Sequence, residues 1–301
     1  MERNKTIPTL GTNEIINFDL HSIEWITTTF NSKDPDFHIN KINEIKDKKG
    51  FNVKPHRKKL HDFFFLTKGK SIRTKGLNSF EIEAPAIFFL PSYQITEHEM
   101  ISEDSEGFYC YFSEELFDLF PQTHLSDRYT FFQYQSNPVI NLDLNIMIVL
   151  EQICQRLCML YLSSKYSRSL CSIYLMAIFE EIKNASIRPL VVQKNSSAEI
   201  TKRYKFALTK HIYEYHNVVE FAAILNISPN YLNKCVKNTL NKTAQDLLKQ
   251  MLILEAKTLI KHSNLNISEI AVKLCDQTPS NFARFFKSQT GVSPKEYSKS
   301  F

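Results

Sequence analysis

The C-terminal third of this 301-residue chain repeats its own pattern at a spacing of 49 to 50 residues, and this repeat limits the folds that the chain can adopt. Each copy opens with Asn and has Glu three residues later, at Asn217 and Glu220 and again at Asn266 and Glu269. This capping-box pattern predicts the start of a helix. Apolar residues follow at helical spacing, and a Ser-Pro or Thr-Pro pair then predicts a second helix. Each copy is therefore predicted to be two helices joined by a short turn.

A stack of helical repeats is the alternative arrangement for a repeated helical sequence. Such stacks use periods of about 34 to 47 residues and generally need three or more copies. Two copies with short turns instead indicate paired helix-turn-helix units. A strongly apolar helix is predicted over residues 244–261, between the units, and we expect it to fix the distance between them. A helix over residues 198–215 is expected to close the domain.

The second helix of each copy is predicted to have one apolar and one polar face. The apolar faces hold Leu232, Cys235 and Val236 in the first copy and Phe282, Phe285 and Phe286 in the second. The polar faces hold Asn230, Lys234 and Lys237 in the first copy and Ser280, Arg284 and Lys287 in the second. Arg and Lys reach guanine O6 and N7, Asn pairs with adenine, and small hydroxyls tolerate close approach, so these faces suit the DNA major groove.

The excess of positive over negative charge lies entirely in this repeated third. Residues 196–301 hold 15 Lys and Arg against 8 Asp and Glu, whereas the other 195 residues hold 22 against 24. A basic module joined to a near-neutral one indicates that only the basic module meets a polyanion. A polar basic face can also be a solvated surface, but its recurrence at an offset of 50 residues favours contact with nucleic acid.

Residues 218–300 resemble the DNA-binding domain of AraC-type transcriptional regulators. The second copy carries most of the signature, in the segments IxxIAxxL from Ile267, SNFxRxFK from Ser280 and GVSPxxY from Gly291. The resemblance implies that outward positions of the second helices contact bases, here Asn230, Asn233, Lys234, Ser280, Asn281 and Arg284. The residues expected to contact phosphates are Ser228, Lys237, Thr278 and Lys287.

A few positions depart from the usual residues of that family. Cys275-Asp276 stands where the family usually has Gly-Phe, and Asn241 stands where it usually has Gly. Asn still tolerates the left-handed backbone that favours Gly. Leu252 replaces a usual Arg in the helix between the units, and Val236 replaces a usual Phe.

The segment from about residue 7 to residue 134 is predicted to be rich in β-strands. Short aromatic and β-branched runs alternate with turn signals such as Lys68-Gly69 and Pro91-Ser92, a pattern typical of a sandwich or a small barrel. The clearest runs are residues 62–67, 71–74, 79–83, 86–90 and 107–112. From His56 to Pro91, the pattern resembles the cupin-like sensory domain that is common in AraC-type regulators.

The cupin-like resemblance implies an interior that could hold a small effector. The predicted pocket residues are His56, His61, Phe64, Phe88 and His98. A simply packed core is the alternative. Metal-dependent cupins use closely spaced histidines, but the offset of five between His56 and His61 puts them on opposite faces of a strand unless a bulge intervenes. We therefore predict neither a metal nor a cofactor.

Two apolar helices are predicted between about residues 141 and 187, and they must bury their apolar stripes against the barrel or against a second subunit. The family resemblance favours a homodimer. Residues 188–197 contain Pro and polar residues without a helical period, which predicts a linker. The chain is thus predicted to be multidomain, with a β-rich cupin-like barrel and helical hairpin in residues 1–187 and an all-α domain with two helix-turn-helix units in residues 198–301.

The sequence also predicts a cytoplasmic location. No stretch approaches the about 20 apolar residues of a spanning helix, and no secretory signal is recognised. The six cysteines form no Cys-x-x-Cys pair, which predicts reduced thiols buried in the core. They are Cys110, Cys154, Cys158, Cys171, Cys235 and Cys275.

The leading functional prediction is a sequence-specific transcription regulator that binds double-stranded DNA under the control of a small effector. A homodimer and contact with RNA polymerase belong to this prediction. An enzyme is not predicted, because no Gly-x-Ser-x-Gly, Walker or His-Glu-x-x-His motif occurs. Two alternatives stay open: a metal-dependent cupin-fold isomerase or oxygenase, and a protein-interaction adaptor whose helix-turn-helix units no longer bind DNA.

Overall fold

The computed structural model describes residues 9–10, 34–43, 53–118, 125–133, 136–185 and 196–299. It divides the chain into two compact units, one from Pro8 to Leu190 and the other containing Val191–Phe301. The predicted linker, residues 188–197, lies outside the described residues except for its last two. Those two residues, Ser196 and Ser197, begin a helix.

The N-terminal unit contains two five-stranded sheets. The first has the strand order β1-β3-β8-β5-β6, and the second has the order β10-β7-β4-β9-β2. The first sheet is formed by β1 Thr9–Leu10, β3 Val53–Lys58, β8 Ile95–Ile101, β5 Lys70–Lys75 and β6 Asn78–Glu83. The second is formed by β10 Val139–Asn141, β7 Ala86–Leu90, β4 His61–Lys68, β9 Glu106–Phe112 and β2 Phe37–Lys41. The β-rich prediction is confirmed, because a strand covers each of the five predicted runs.

The second sheet is buried on both faces. One face carries Phe63 and Phe65, and this face belongs to a core that also contains the helices which follow the sheet. Those helices are α1 Leu125–Arg128, α2 Leu144–Leu162 and α3 Arg168–Ala185. The other face carries Phe64, Leu66, Phe88 and further apolar side chains in a second cluster that includes Ile82 of the first sheet. This explains why strand β4 reads as an almost continuous apolar run rather than as an alternation.

Helix α2 is long and apolar enough to cross a membrane if judged by length and composition alone. Its inner side is buried in the core through Leu150, Cys154 and Leu157, among others. Its outer side exposes Leu144, Ile148, Met159 and Leu162. Asp143 caps the start of the helix by accepting a hydrogen bond from the Ile146 amide at 2.9 Å.

The C-terminal unit is helical throughout its described length. Its helices are α4 Ser196–His211, α5 Val218–Ile224, α6 Pro229–Leu240, α7 Ala244–His262, α8 Ile267–Cys275, α9 Pro279–Thr290 and α10 Pro294–Ser298. Both predicted capping boxes form, at Asn217 with Glu220 and at Asn266 with Glu269. The two copies of the repeat are therefore two helix-turn-helix units, α5–α6 and α8–α9, joined by α7.

The helix between the units is buried along much of its length, as its apolar sequence predicts. Leu248, Ala256 and Leu259 are fully buried, and Leu252 is nearly so. The substitution of the family's usual Arg by Leu252 thus places an apolar side chain in an apolar environment. All six cysteines of the chain are buried and none is in a disulfide, as predicted.

His38 makes the stability of the N-terminal unit sensitive to acid. The side chain is fully buried on β2, its Nδ1 lies 2.9 Å from the Tyr161 hydroxyl, and burial lowers its pKa to about 3. The unfolded chain, with an ordinary histidine pKa near 6.5, binds the proton first as the pH falls. We expect the free energy of unfolding to decrease from about pH 6.5 towards pH 3, measured by urea titration. A His38→Phe variant should show a shallower decrease, and an unchanged slope would contradict this assignment.

Candidate nucleic-acid interface

The second helices of the two units are α6 and α9, and we call them the reading helices because their exposed faces are predicted to contact bases. They start and end in the same way. Ser228 and Thr278 are the N-caps, and their hydroxyls accept hydrogen bonds from the amides of Tyr231 and Asn281 at 3.2 and 3.4 Å. Proline follows each cap, and each helix has 12 residues. Each ends at a residue with left-handed backbone, which is Asn241 for α6 and Gly291 for α9. The local sequence therefore specifies two helices of equal length.

The inner face of each reading helix is anchored in the core of the C-terminal unit. Leu232, Cys235 and Val236 are fully buried in α6, and Phe282 and Phe286 are fully buried in α9. Phe285, predicted for the same face, is only partly buried. Anchoring of this kind leaves the opposite face of each helix available to a partner.

All six side chains predicted to contact bases lie on the exposed side of these helices. They are Asn230, Asn233 and Lys234 on α6 and Ser280, Asn281 and Arg284 on α9. The structure thus places three of them on each unit, in the first half of the helix. In helix-turn-helix proteins the N-terminal residues of the second helix contact base edges.

Three of these six side chains, Asn233, Asn281 and Arg284, are already engaged within the protein. The Asn233 Oδ1 atom accepts a hydrogen bond from the Ala244 amide at 3.0 Å, which ties α6 to the first turn of α7. The Asn281 Oδ1 atom accepts a hydrogen bond from Arg284 Nη2 at 2.7 Å. Sequence reasoning missed both bonds. The first joins two helices across a turn, whereas the i, i+3 spacing of the second could have signalled it.

Tyr231 was not predicted, yet it lies among the residues predicted to contact bases. It is 41% exposed and stands on α6 between Asn230 and Lys234. The repeat offset of 50 aligns it with Asn281, and this alignment is the signal that could have identified it. An exposed aromatic ring in this position can make apolar contact with a base edge.

The four predicted phosphate contacts flank the residues predicted to contact bases. Lys237 and Lys287 are exposed in the last turns of their helices, and the Ser228 and Thr278 caps are exposed at the first turns. Each hydroxyl accepts from a backbone amide and can still donate its own hydrogen to a phosphate oxygen. Behind these helices, the Tyr204 hydroxyl of α4 donates to the Ala244 carbonyl at the start of α7 at 3.0 Å.

The turns of both units contain a residue with left-handed backbone that is not glycine. Asn226 has a φ of 56° and Asp276 has a φ of 47°. Asp tolerates this conformation better than most residues but still loses energy relative to Gly. We expect Asp276→Gly to raise the free energy of unfolding by about 0.5–1 kcal/mol, measured by chemical denaturation. Asp276→Asn should be nearly neutral, and a loss of stability in the Gly variant would show that the carboxylate itself is needed.

The residues predicted for an effector pocket divide between the two faces of the second sheet. Phe64, Phe88 and His98 lie between the sheets, with the Phe64 and His98 rings 5.3 Å apart. His56 pairs with Thr96 on β8 and is electrostatically coupled to His98. His61 lies on the opposite face, where its ring stacks on Phe112 with centroids 5.8 Å apart. The structure therefore brings four of the five together and separates His61 from them.

Sequence reasoning missed a buried ionic network between the sheets. Arg73 donates two hydrogen bonds to Asp62, at 2.7 and 2.9 Å, and a third to Thr96 at 3.2 Å. Lys58 also bonds to Asp62 and to the Tyr109 hydroxyl. Arg73 and Asp62 are fully buried and Lys58 is almost so. Two cations thus share one carboxylate in the interior.

Burial or neighbouring charges lower the pKa values of Lys58, Asp62 and the adjacent His98. Burial lowers the pKa of Lys58 to about 8, against the attraction of Asp62. Burial would raise the pKa of Asp62, but Arg73 and Lys58 together lower it. Burial, with Arg73 and Lys58 nearby, holds the pKa of His98 well below its ordinary value. At neutral pH the interior therefore contains an ionised Asp–Arg pair and a neutral His98.

A groove of about 630 Å³ lies elsewhere in the N-terminal unit. Its apolar lining includes Ile72, Ile82, Met100 and Leu142. None of the five predicted pocket residues lines it. Within the described residues, no group of three or more His, Cys, Asp or Glu side chains is arranged to hold a metal ion.

Comparison with known proteins finds relatives of the C-terminal unit. Residues 221–300 match a family model described as a helix-turn-helix domain. The HTH-type transcriptional regulator YisR of Bacillus subtilis (strain 168) is 27% identical over 92 residues, which are 31% of this chain and 32% of that protein. This chain thus matches about a third of the length of that curated relative.

Solved structures are similar at two scales. The C-terminal domain of AraT, a response regulator from Geobacillus stearothermophilus, is 30% identical, with a TM-score of 0.32, over 34% of this chain and 85% of that one. ToxT from Vibrio cholerae O395 is 14% identical, with a TM-score of 0.40, over 88% of this chain and 98% of that one.

Proposed function

We propose that this chain, whose residues 221–300 match a helix-turn-helix family model, is an AraC-type transcription regulator that binds specific sequences of double-stranded DNA. The observation that carries the proposal is the pair of reading helices. They are equal in length, anchored by their apolar faces and lined with basic and amide side chains on their exposed faces. Two such helices suit successive major-groove segments on one face of a duplex, about 34 Å apart.

Charge supports the same proposal. The excess of seven positive charges in residues 196–301 would neutralise DNA phosphates and release condensed counterions. The exposed Lys237 and Lys287 near the helix ends suit that role. Contacts of this kind hold a protein on any duplex, whereas the base-facing residues select the sequence.

The test of this function is selection of bound duplexes from a random pool by the full-length protein. Two half-motifs with centres about one helical turn apart are the expected result. Binding should weaken steeply as salt is raised, because phosphate contacts carry much of the affinity. Recovery of unselected sequences only, or of none, would reject sequence-specific binding and favour an adaptor whose helix-turn-helix units bind no DNA.

We propose further that the protein acts as a homodimer through helix α2. The exposed Leu144, Ile148, Met159 and Leu162 fall on one face of that helix, and such a face favours a protein partner. We expect Ile148→Glu with Met159→Glu to convert dimer to monomer in light-scattering measurements. Val272→Glu, at an exposed apolar residue of α8, is the matched control. A wild-type monomer at micromolar concentration would reject the dimer.

Effector control completes the proposal. The volume of the groove, about 630 Å³, falls within the range of small-ligand sites. The ionic network occupies part of the space between the sheets, so the groove is the better candidate for an effector site. A small effector in the groove would raise the melting temperature of the wild type but not of a Met100→Trp variant, in which the indole fills the groove. Equal shifts in both proteins would place the effector elsewhere.

As a DNA-bound regulator, the protein would act in the cytoplasm, without a catalytic role, and would contact RNA polymerase.

A further inference from the structure

The two reading helices have the same length and the same kinds of cap, but their exposed side chains differ at matched positions. Two of these differences concern base recognition. At the first position α6 carries Tyr231 and α9 carries Asn281, and at the second α6 carries Lys234 and α9 carries Arg284. We infer that α9 reads a guanine through Arg284 held by Asn281, and that α6 presents Tyr231 to the methyl group of a thymine. The inference rests on the proposed function and specifies its ligand.

The α9 half of the inference follows from the bond between Asn281 and Arg284. The 2.7 Å contact between Arg284 Nη2 and Asn281 Oδ1 fixes a guanidinium that would otherwise move freely on an exposed helix. This contact uses one of the two hydrogens on Nη2. The other Nη2 hydrogen and both Nη1 hydrogens remain available to a partner. These remaining hydrogens form the fork that pairs with guanine O6 and N7. Asn281 is thus a positioning residue, because it lowers the entropy that Arg284 loses on binding.

The α6 half lacks this arrangement. No hydrogen bond joins Tyr231 to Lys234 in the part of the chain that the structure describes. An ammonium group is a compact charge on a flexible stem without a fork, so Lys234 discriminates less between a guanine and a phosphate. The exposed ring of Tyr231 suits a thymine methyl, and the adjacent Asn230 suits adenine N6 and N7. The α6 face therefore suits A·T pairs.

The consequence is a site whose two halves differ in base content. The α9 half-motif should contain a strongly preferred guanine, and the α6 half-motif should be rich in A·T pairs.

The experiment compares sites selected from a random pool by the full-length wild type and by two variants. In Asn281→Ala we expect guanine preference in one half-motif to fall about 2- to 10-fold, since one rotamer-rich side chain is no longer held. Ser288→Ala, on an exposed residue of the same helix, is the matched control and should leave the preference intact.

The second variant, Tyr231→Asn with Lys234→Arg, transplants the α9 pair onto α6. It is expected to gain a guanine in the A·T half-motif, so that each half-motif then contains a preferred guanine. Failure of the wild type to select any motif would reject the proposed function itself. Selection of two half-motifs by the wild type, with guanine preference unchanged in Asn281→Ala or no guanine gained by the transplant, would reject the inference and leave the function standing.

Discussion

Replacing Asp62 with Asn is expected to lower the free energy of unfolding of the N-terminal unit by about 3–5 kcal/mol, the largest effect among the predicted variants. The side chain is fully buried, and it is shared by Arg73 and Lys58 between the two sheets. Without its charge, two cations stay in the interior with no carboxylate to compensate them, and the cost of their burial is no longer offset. Urea denaturation of the full-length protein, followed by the signal of its β-rich unit, measures the loss.

A second variant keeps this prediction informative if Asp62→Asn does not fold. The triple replacement Lys58→Met, Asp62→Leu and Arg73→Met removes all three charges and keeps side chains of similar size. Because an apolar replacement of a buried ion network is often neutral or stabilising, we expect the triple variant to fold with stability close to that of the wild type. Equal loss of stability in the single and triple variants would mean that shape, rather than charge, is what the site requires.

Removing the basic side chains from both reading helices should abolish most sequence discrimination. For Lys234→Ala with Arg284→Ala, the affinity for the selected site is expected to fall at least about 30-fold, because each specific base contact contributes about 1–3 kcal/mol. Affinity for random duplex should fall much less, since both residues face bases rather than phosphates in the proposed complex. Fluorescence anisotropy with the two duplexes at one fixed salt concentration measures both quantities.

The control for this pair removes the same charge elsewhere in the C-terminal unit. Lys210 lies on α4 and Lys257 lies on α7, so both are outside the reading helices. The double variant Lys210→Ala with Lys257→Ala should keep its preference for the selected site. If it loses as much specific affinity as the first pair, the effect comes from net charge, and the base-reading role of Lys234 and Arg284 is wrong.

The helix-turn-helix units could be predicted closely because their signals are local. A capping box at Asn217, proline after Ser228 and a left-handed residue at Asn241 each act within a few residues of chain, and the structure contains all three. The strands of the N-terminal unit were also predictable, since aromatic and β-branched runs between turn residues mark them directly.

The interior of the N-terminal unit could not be predicted in the same way. Asp62 stands in an apolar run, and nothing near it in sequence shows that Arg73, 11 residues away on the other sheet, covers its charge. The register between sheets decides this contact, and no local pattern fixes it. The separation of His61 from His98 has the same origin, because it depends on which face of the second sheet each ring occupies.

The bond from the Ala244 amide to Asn233 constrains how the recognition surface can evolve. The side-chain oxygen of Asn233 links α6 to α7, while the side chain as a whole lies on the exposed face of α6. A substitution of Asn233 that changed the preferred DNA sequence would also remove the bond that positions α6 against α7. Under the proposed function, we therefore expect changes in sequence preference to arise at Asn230, Tyr231 and Lys234, which can be replaced without losing this bond.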